Sequence, residues 1–138
     1  MFAPPLKVYH VTLAGLARLP AFCHATCAGG NVLLSGILGT RPGALELVAG
    51  GIAKQTVQAL CNIEAILAAS GSSVQHLTRL TVYVKSSTRE RFEAMNEAYL
   101  HFFQERELPV CARVYIGCES LALTAEVQID GTAMGMIK

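Results

Sequence analysis

A change of hydrophobic period occurs twice in this chain, and it limits the fold more than any other feature. From Ile52 to Ser70 the residues Ala53, Val57, Leu60, Ile63 and Leu67 recur at the spacing of one helix face, and Gly71 follows as a natural stop. LTRLTVYVK, residues 77 to 85, then alternates as a half-buried strand does. A second helix begins at once. Ser87-Thr88-Arg89-Glu90 has the form of a capping box, in which the serine oxygen accepts from a free amide and the glutamate three residues on reaches back. Phe92, Met95, Tyr99 and Phe102 line one face of that helix, as core residues do. It stops before Pro109, and residues 111 to 118 read as another strand.

Strand signals flank this centre. KVYHVTL (7 to 13) and FCHATCAG (22 to 29) are joined by the connector AGLARLPA, and Gly29-Gly30 marks a tight hairpin into NVLLSG (31 to 36). ILGTRPGALELVAGG reads as loop, ESLAL as a turn, and residues 124 to 133 as the last strand. Two strand–helix–strand crossovers favour parallel neighbours with both helices on one face, and hairpins at either end add antiparallel strands. The expected fold is one α+β domain over residues 1 to 138, a mixed sheet with one uncovered face that a trimer or dimer of the chain would bury.

Composition narrows the function. The chain is 52% hydrophobic and 15% charged, and its 11 Lys and Arg against 10 Asp and Glu leave a net charge of +1 without any block of one sign. Nucleic acid is therefore not an expected partner. Prolines interrupt the N-terminus where a leader needs its apolar core, and no run of about 18 apolar residues exists, so no membrane association is expected. The expected location is the cytoplasm or an organelle such as the mitochondrion. Five cysteines, an odd number with no CxxC pair, suit small buried thiols. Cys23, His24 and Cys27 make a poor start to a metal site, because a strand sends His24 to the side opposite both thiols.

One residue resists this bland account. Arg113 stands in PVCARVYIG, on a predicted strand between apolar neighbours. Its stem can cover apolar surface with the head in water, or its planar fork can receive a carboxylate through two parallel hydrogen bonds. Composition does not choose.

The motifs do. FCHATCAGGNVLLSG, QALCNIEAILAASGSSVQHLTRLTVYV, FEAMNEAYLHFF, PVCARVYIG and AEVQIDGTA, in that order from about Leu19 to Ala133, resemble the YjgF/RidA family, also called L-PSP endoribonuclease or reactive-intermediate deaminase. The resemblance implies a chorismate-mutase-like α+β fold and a homotrimer with clefts between subunits. It also implies hydrolysis of reactive 2-imino and 2-enamino acids to 2-oxo acids and ammonia, without cofactor or metal. By motif, Arg113 corresponds to the arginine that clamps the substrate carboxylate, Asn96 and Tyr99 to the family's asparagine and tyrosine on the second helix, and Ser35 and Gly36 to a serine-glycine pair lining the cleft. Three positions depart. Phe22 replaces a tyrosine, Gln128 replaces a strand glutamate and so loses its charge and acid–base role, and Tyr115 stands where many members have cysteine. Tyr115 and His24 offer alternative polar groups. The catalytic set expected from the resemblance is Arg113, Gln128 and Tyr115, with Phe22, His24, Ser35, Gly36, Asn96 and Tyr99 binding substrate. A trimer that binds small carboxylates such as 2-oxo acids without chemistry is the second reading. Ribonuclease activity is the third, since no phosphate-tracking surface is offered.

Overall fold

A computed structural model describes residues 6–135; the N-terminal prolines at 4 and 5 lie outside them. The elements are β1 (Tyr9–Val11), β2 (Ala25–Ala28), β3 (Asn31–Leu38), α1 (Gly51–Ala69), β4 (Leu77–Lys85), α2 (Arg89–Glu105), β5 (Ala112–Cys118) and β6 (Val127–Met134). All six strands form one sheet in the order β1-β2-β3-β6-β4-β5. Only β4 and β5 run parallel as neighbours; the other pairs are antiparallel.

The mixed α+β sheet with two helices matches expectation, but the neighbours of the last strand do not. β6 forms no hairpin with β5; it lies between β3 and β4, which are thus parallel but not adjacent. The physical reason is burial. Val127, Ile129 and Ala133 are fully buried on one face of β6, and a strand so enclosed is best placed where both its edges are hydrogen-bonded. β5, whose residues are half-buried or exposed, takes the edge.

Several local expectations also shift. β2 begins at Ala25, so Phe22 and His24 precede the strand, and β3 continues through Ile37 and Leu38, which were expected in the loop. β1 is shorter than 7 to 13, and β6 starts after a 3-10 turn at Ala122–Thr124. Gly29 and Gly30 have φ of 57° and 79°, the left-handed pair a two-residue hairpin needs. Thr88, not Ser87, caps α2, its hydroxyl accepting from Arg91 N at 3.2 Å. Ser87 instead meets the hydroxyl of Tyr115.

Leu60, Ile63 and Leu67 of α1 are fully buried as expected, but the face differs at its N-terminal end and in its polar members. Ala53 and Val57 are only half-buried, whereas Gln55, Thr56 and Asn62 are buried. Each polar group is satisfied by backbone: Gln55 Oε1 accepts from Glu126 N, Thr56 Oγ1 donates to Ile52 O, and Asn62 Nδ2 donates to the carbonyls of Leu38 and Thr40. Hydrogen-bonded polar side chains can thus join a core that a purely apolar pattern assigns elsewhere.

Leu80, Val82 and Val84 of β4 are fully buried beneath the helices, against Met95, Tyr99, Phe102 and Phe103 of α2. The opposite sheet face carries Thr81, Tyr83, Gln128 and Asp130 together with Leu33 and Ile116, the last two 44% and 39% exposed. At the helix layer, Arg106 makes two 2.9 Å hydrogen bonds to Glu64 and stacks 3.6 Å from the centre of the Phe102 ring, tying α2 to α1. Those hydrogen bonds hold the Glu64 carboxyl below its ordinary range. A depressed carboxylate contributes stability above its unfolded pKa, about 4.3, and loses it as pH falls through the folded value. Urea titrations from pH 6 downward are expected to show this loss, and Arg106→Ala should flatten it. An identical acid slope in the variant would show that Glu64 is not its source.

Candidate functional site

Two groups of candidate residues assemble, at different places on the sheet. The first surrounds Arg113 at the β5 edge. Parallel pairing aligns Arg113 with Leu80 and Tyr115 with Val82, so both side chains rise on the helix-covered face toward α2. Phe92, Asn96 and Tyr99, spaced i, i+4 and i+7 on α2, meet them. Arg113 Nη1 donates to Asn96 Oδ1 at 2.7 Å, and its guanidinium lies 4.7 Å from the Tyr99 ring centre and 6.0 Å from that of Phe92. Nε and Nη2 have no partner among the described residues, so a half-buried arginine is clamped on one side and free on the other. Phe92 also packs edge-on against Tyr115, with ring centres 4.6 Å apart.

The second group lies at β3. Between Leu34 and Ile37 the β3–β6 register shifts, and Ser35-Gly36 form the irregularity. A recess of about 50 Å³ opens beside it, with Phe22, His24, Ser35, Gly36 and Arg18 in its lining. Ser35 Oγ donates to Cys23 O at 2.6 Å. His24 is buried, its Nδ1 accepting from Leu13 N at 3.0 Å and its Nε2 lying 3.2 Å from Ala17 O. Both ring nitrogens therefore hold the connector before β2. Gln128 joins this group, because its side chain lies against Gly36: a Cβ built there would sit 2.5 Å from Nε2 and 2.7 Å from Cδ.

One chain does not bring the two groups together. β6 and β4 separate β3 from β5, three strand spacings or about 14 Å, and Arg113 and Gln128 project from opposite faces.

The family model described as Endoribonuclease L-PSP matches residues 13–135. The chain belongs to the YjgF/RidA, or L-PSP endoribonuclease, family. A 2-iminobutanoate/2-iminopropanoate deaminase from Capra hircus is 32% identical to this YjgF/RidA member over 118 residues, 86% of this chain and 82% of the relative. A RutC family protein from Aquifex aeolicus is 30% identical over 113 residues, covering 82% of this chain and 87% of the relative. Among solved structures, the YjgF gene product of E. coli superimposes with a TM-score of 0.82 at 25% identity, over 91% of this chain and 98% of that one.

Within this YjgF/RidA fold the polar groups near Arg113 are neutral at ordinary pH. Burial raises the pKa of the Cys111 thiol and of the Tyr115 phenol, and it raises that of Tyr99 well beyond the usual phenol range. The Tyr99 hydroxyl is buried and makes no hydrogen bond among the described residues; its perturbing neighbours are Cys111 and Arg113. The Tyr115 hydroxyl is engaged by Ser87, on the loop that caps α2, which leaves the phenol bracing that loop.

Sequence reasoning missed Phe92 as a site residue, counting it only as core. The signal was present in its helical spacing with Asn96 and Tyr99. Arg18 and Asn62 carried no such signal, since the recess draws them from separate segments. No group of three or more His, Cys, Asp or Glu side chains converges for a metal among the described residues, and no described helix is long and apolar enough to cross a membrane.

Proposed function

We propose that the chain hydrolyses reactive 2-imino and 2-enamino acids to 2-oxo acids and ammonia, in clefts where the Arg113 group of one copy faces the Ser35-Gly36-Gln128 group of another. The observation that carries this reading is the half-satisfied arginine. Asn96 fixes Nη1 and Tyr99 supports the guanidinium face, while Nε and Nη2 remain a free fork of the geometry a carboxylate accepts. Relatives named as 2-iminobutanoate/2-iminopropanoate deaminases support the substrate class.

The chemistry asks little of the protein. Water adds across the C2=N bond of the imine, its oxygen to C2 and its protons to oxygen and nitrogen; the C–N bond of the resulting amino alcohol then breaks as the hydroxyl proton passes to nitrogen, and ammonia leaves a 2-oxo acid. Holding the carboxylate and orienting one water supply much of the rate. Gln128 offers hydrogen bonds for that water without a charge, and lack of a general base lowers turnover by about 100-fold relative to a site that has one. The same lack favours a second reading, a trimer that binds small carboxylates without turning them over, because Phe22 has no hydroxyl and Tyr99, Tyr115 and Cys111 hold their protons.

Ammonia release from freshly generated 2-imino acids distinguishes the two. The deaminase reading expects release above the spontaneous rate by wild type and not by Arg113→Ala. Release at the spontaneous rate with intact 2-oxo acid binding selects the binding reading.

Both readings need a second copy. The half-exposed Leu33 and Ile116 on the face opposite the helices suit burial between copies. Sedimentation equilibrium is expected to give a trimer at micromolar concentration, and a monomer there would remove the shared cleft.

A further inference from the structure

The β3 recess has an unusual charge balance for a site that handles nitrogen compounds. Among the described residues Arg18 is the one charged side chain in its lining, which includes no carboxylate. Three of its other polar side chains are committed: Ser35 to Cys23 O, His24 to the backbone of Leu13 and Ala17, and Asn62 to the carbonyls of Leu38 and Thr40; Thr40 is buried. Gln128 of β6 lies outside that lining, but its carboxamide is seated on Gly36, which is part of it, and so borders the recess. The nearest acid along that strand face is Asp130, two residues on. It pairs in register with Thr81 and acts on Tyr83, whose phenol it pushes up, near Arg79. Its charge is thus engaged along β4 rather than toward β3.

We propose that Gln128 makes the cleft charge-selective. With a carboxylate on Arg113, the group on C2 lies against the neutral Gln128 amide rather than a carboxylate, and Arg18 is the charged side chain in the adjoining recess. Ligands with an uncharged oxygen or nitrogen at C2, the 2-oxo acids and the neutral 2-imino and 2-enamino acids, are accepted. The corresponding 2-amino acids are rejected, because their ammonium must give up water and finds no counter-charge. A hydrolase so built is not inhibited by the amino acids from which its substrates arise. This inference rests on Arg113 as the carboxylate anchor and on the two groups meeting between copies.

The test compares 2-oxobutanoate with L-2-aminobutanoate, which share a skeleton and differ at C2, by titration calorimetry on the full chain. Wild type should bind the oxo acid at least about tenfold more tightly. Gln128→Glu, nearly constant in volume, should weaken the oxo acid and strengthen the amino acid by about tenfold each, reversing the preference. A melting curve on the variant checks its fold, and Gln128→Met, uncharged and of similar size, should keep the wild-type order. If wild type binds both ligands within about threefold in an Arg113-dependent manner and Gln128→Glu changes neither, the selectivity is overturned while the anchor stands. If 2-oxobutanoate binds wild type and Arg113→Ala equally, or binds neither, the anchor reading fails and takes this inference with it.

Discussion

Arg113→Ala is expected to reduce kcat/KM for 2-imino acids by about a hundredfold or more and to remove measurable 2-oxo acid binding. A charge-assisted pair of hydrogen bonds to a carboxylate, partly shielded from water, costs roughly 2–5 kcal/mol when one partner is deleted, and each 1.4 kcal/mol is a factor of ten. Nothing else in PVCARVYIG can replace it, since its other side chains are apolar, thiol or phenol. Arg113→Lys separates charge from shape. An ammonium keeps the attraction but loses the fork and the flat stack on Tyr99, so it should recover only part of the activity, with the loss chiefly in KM. On the proposed function, Asn96→Asp should be nearly as damaging as the alanine, because a carboxylate at 2.7 Å from Nη1 would offset the guanidinium charge. If Arg113→Ala instead processes imines and binds 2-oxo acids as wild type does, Arg113 is a solvated strand arginine and nothing more.

The largest effect on folding should come from Gly131→Ala. Gly131 sits in β6 opposite Leu80, beside the irregularity between Leu77 and Arg79 of β4. A Cβ there would overlap the Arg79 carbonyl oxygen and lie 2.8 Å from Leu80 Cδ2 and 3.0 Å from Leu80 Cα. Two of those three atoms are backbone of β4, an interior strand paired with β6, so the relief available is to push β4 and β6 apart, across the core formed by Leu80, Val82 and Ile129. The expected cost is about 3 kcal/mol or more, a fall in Tm on the order of 10 °C. Gly15→Ala, where no atom lies within 4 Å, is the control and should melt as wild type does. A Gly131→Ala protein that melts within about 3 °C of wild type would mean that the close approach of β4 and β6 is not as described.

The parts of the fold legible in advance are those written in short-range pattern. β4 runs from Leu77 to Lys85 as its alternation indicates, and α1 and α2 lie where the helical period puts them. Gly29-Gly30 turns the chain because left-handed backbone at two successive residues strongly favours glycine. The site was legible to a lesser degree. Arg113 stood out as a cation in an apolar strand, and Asn96 and Tyr99 do converge on it. Yet Tyr115, expected as an alternative hydroxyl, has that hydroxyl engaged by Ser87, and His24 has both nitrogens committed to backbone. Hydrogen-bond partners of this kind lie 28, 11 and 7 residues away in sequence, and no periodicity reports them.

The amino-acid sequence by itself determined the element types, the apolar face of α2, the left-handed turns, and an arginine fixed on a strand beside an asparagine and a tyrosine in helical register. These depend on backbone sterics and on which face of one element is apolar, and both are local properties. Only the tertiary structure decided that β6 enters between β3 and β4. That insertion puts β6 and β4 between the Ser35-Gly36 irregularity of β3 and Arg113 of β5, with Gln128 and Arg113 on opposite faces. An alternating strand has two edges of equal hydrogen-bonding capacity, so its own residues say which face is buried but not which neighbours it takes. The choice is made by the whole sheet, where burying Val127, Ile129 and Ala133 requires a central position.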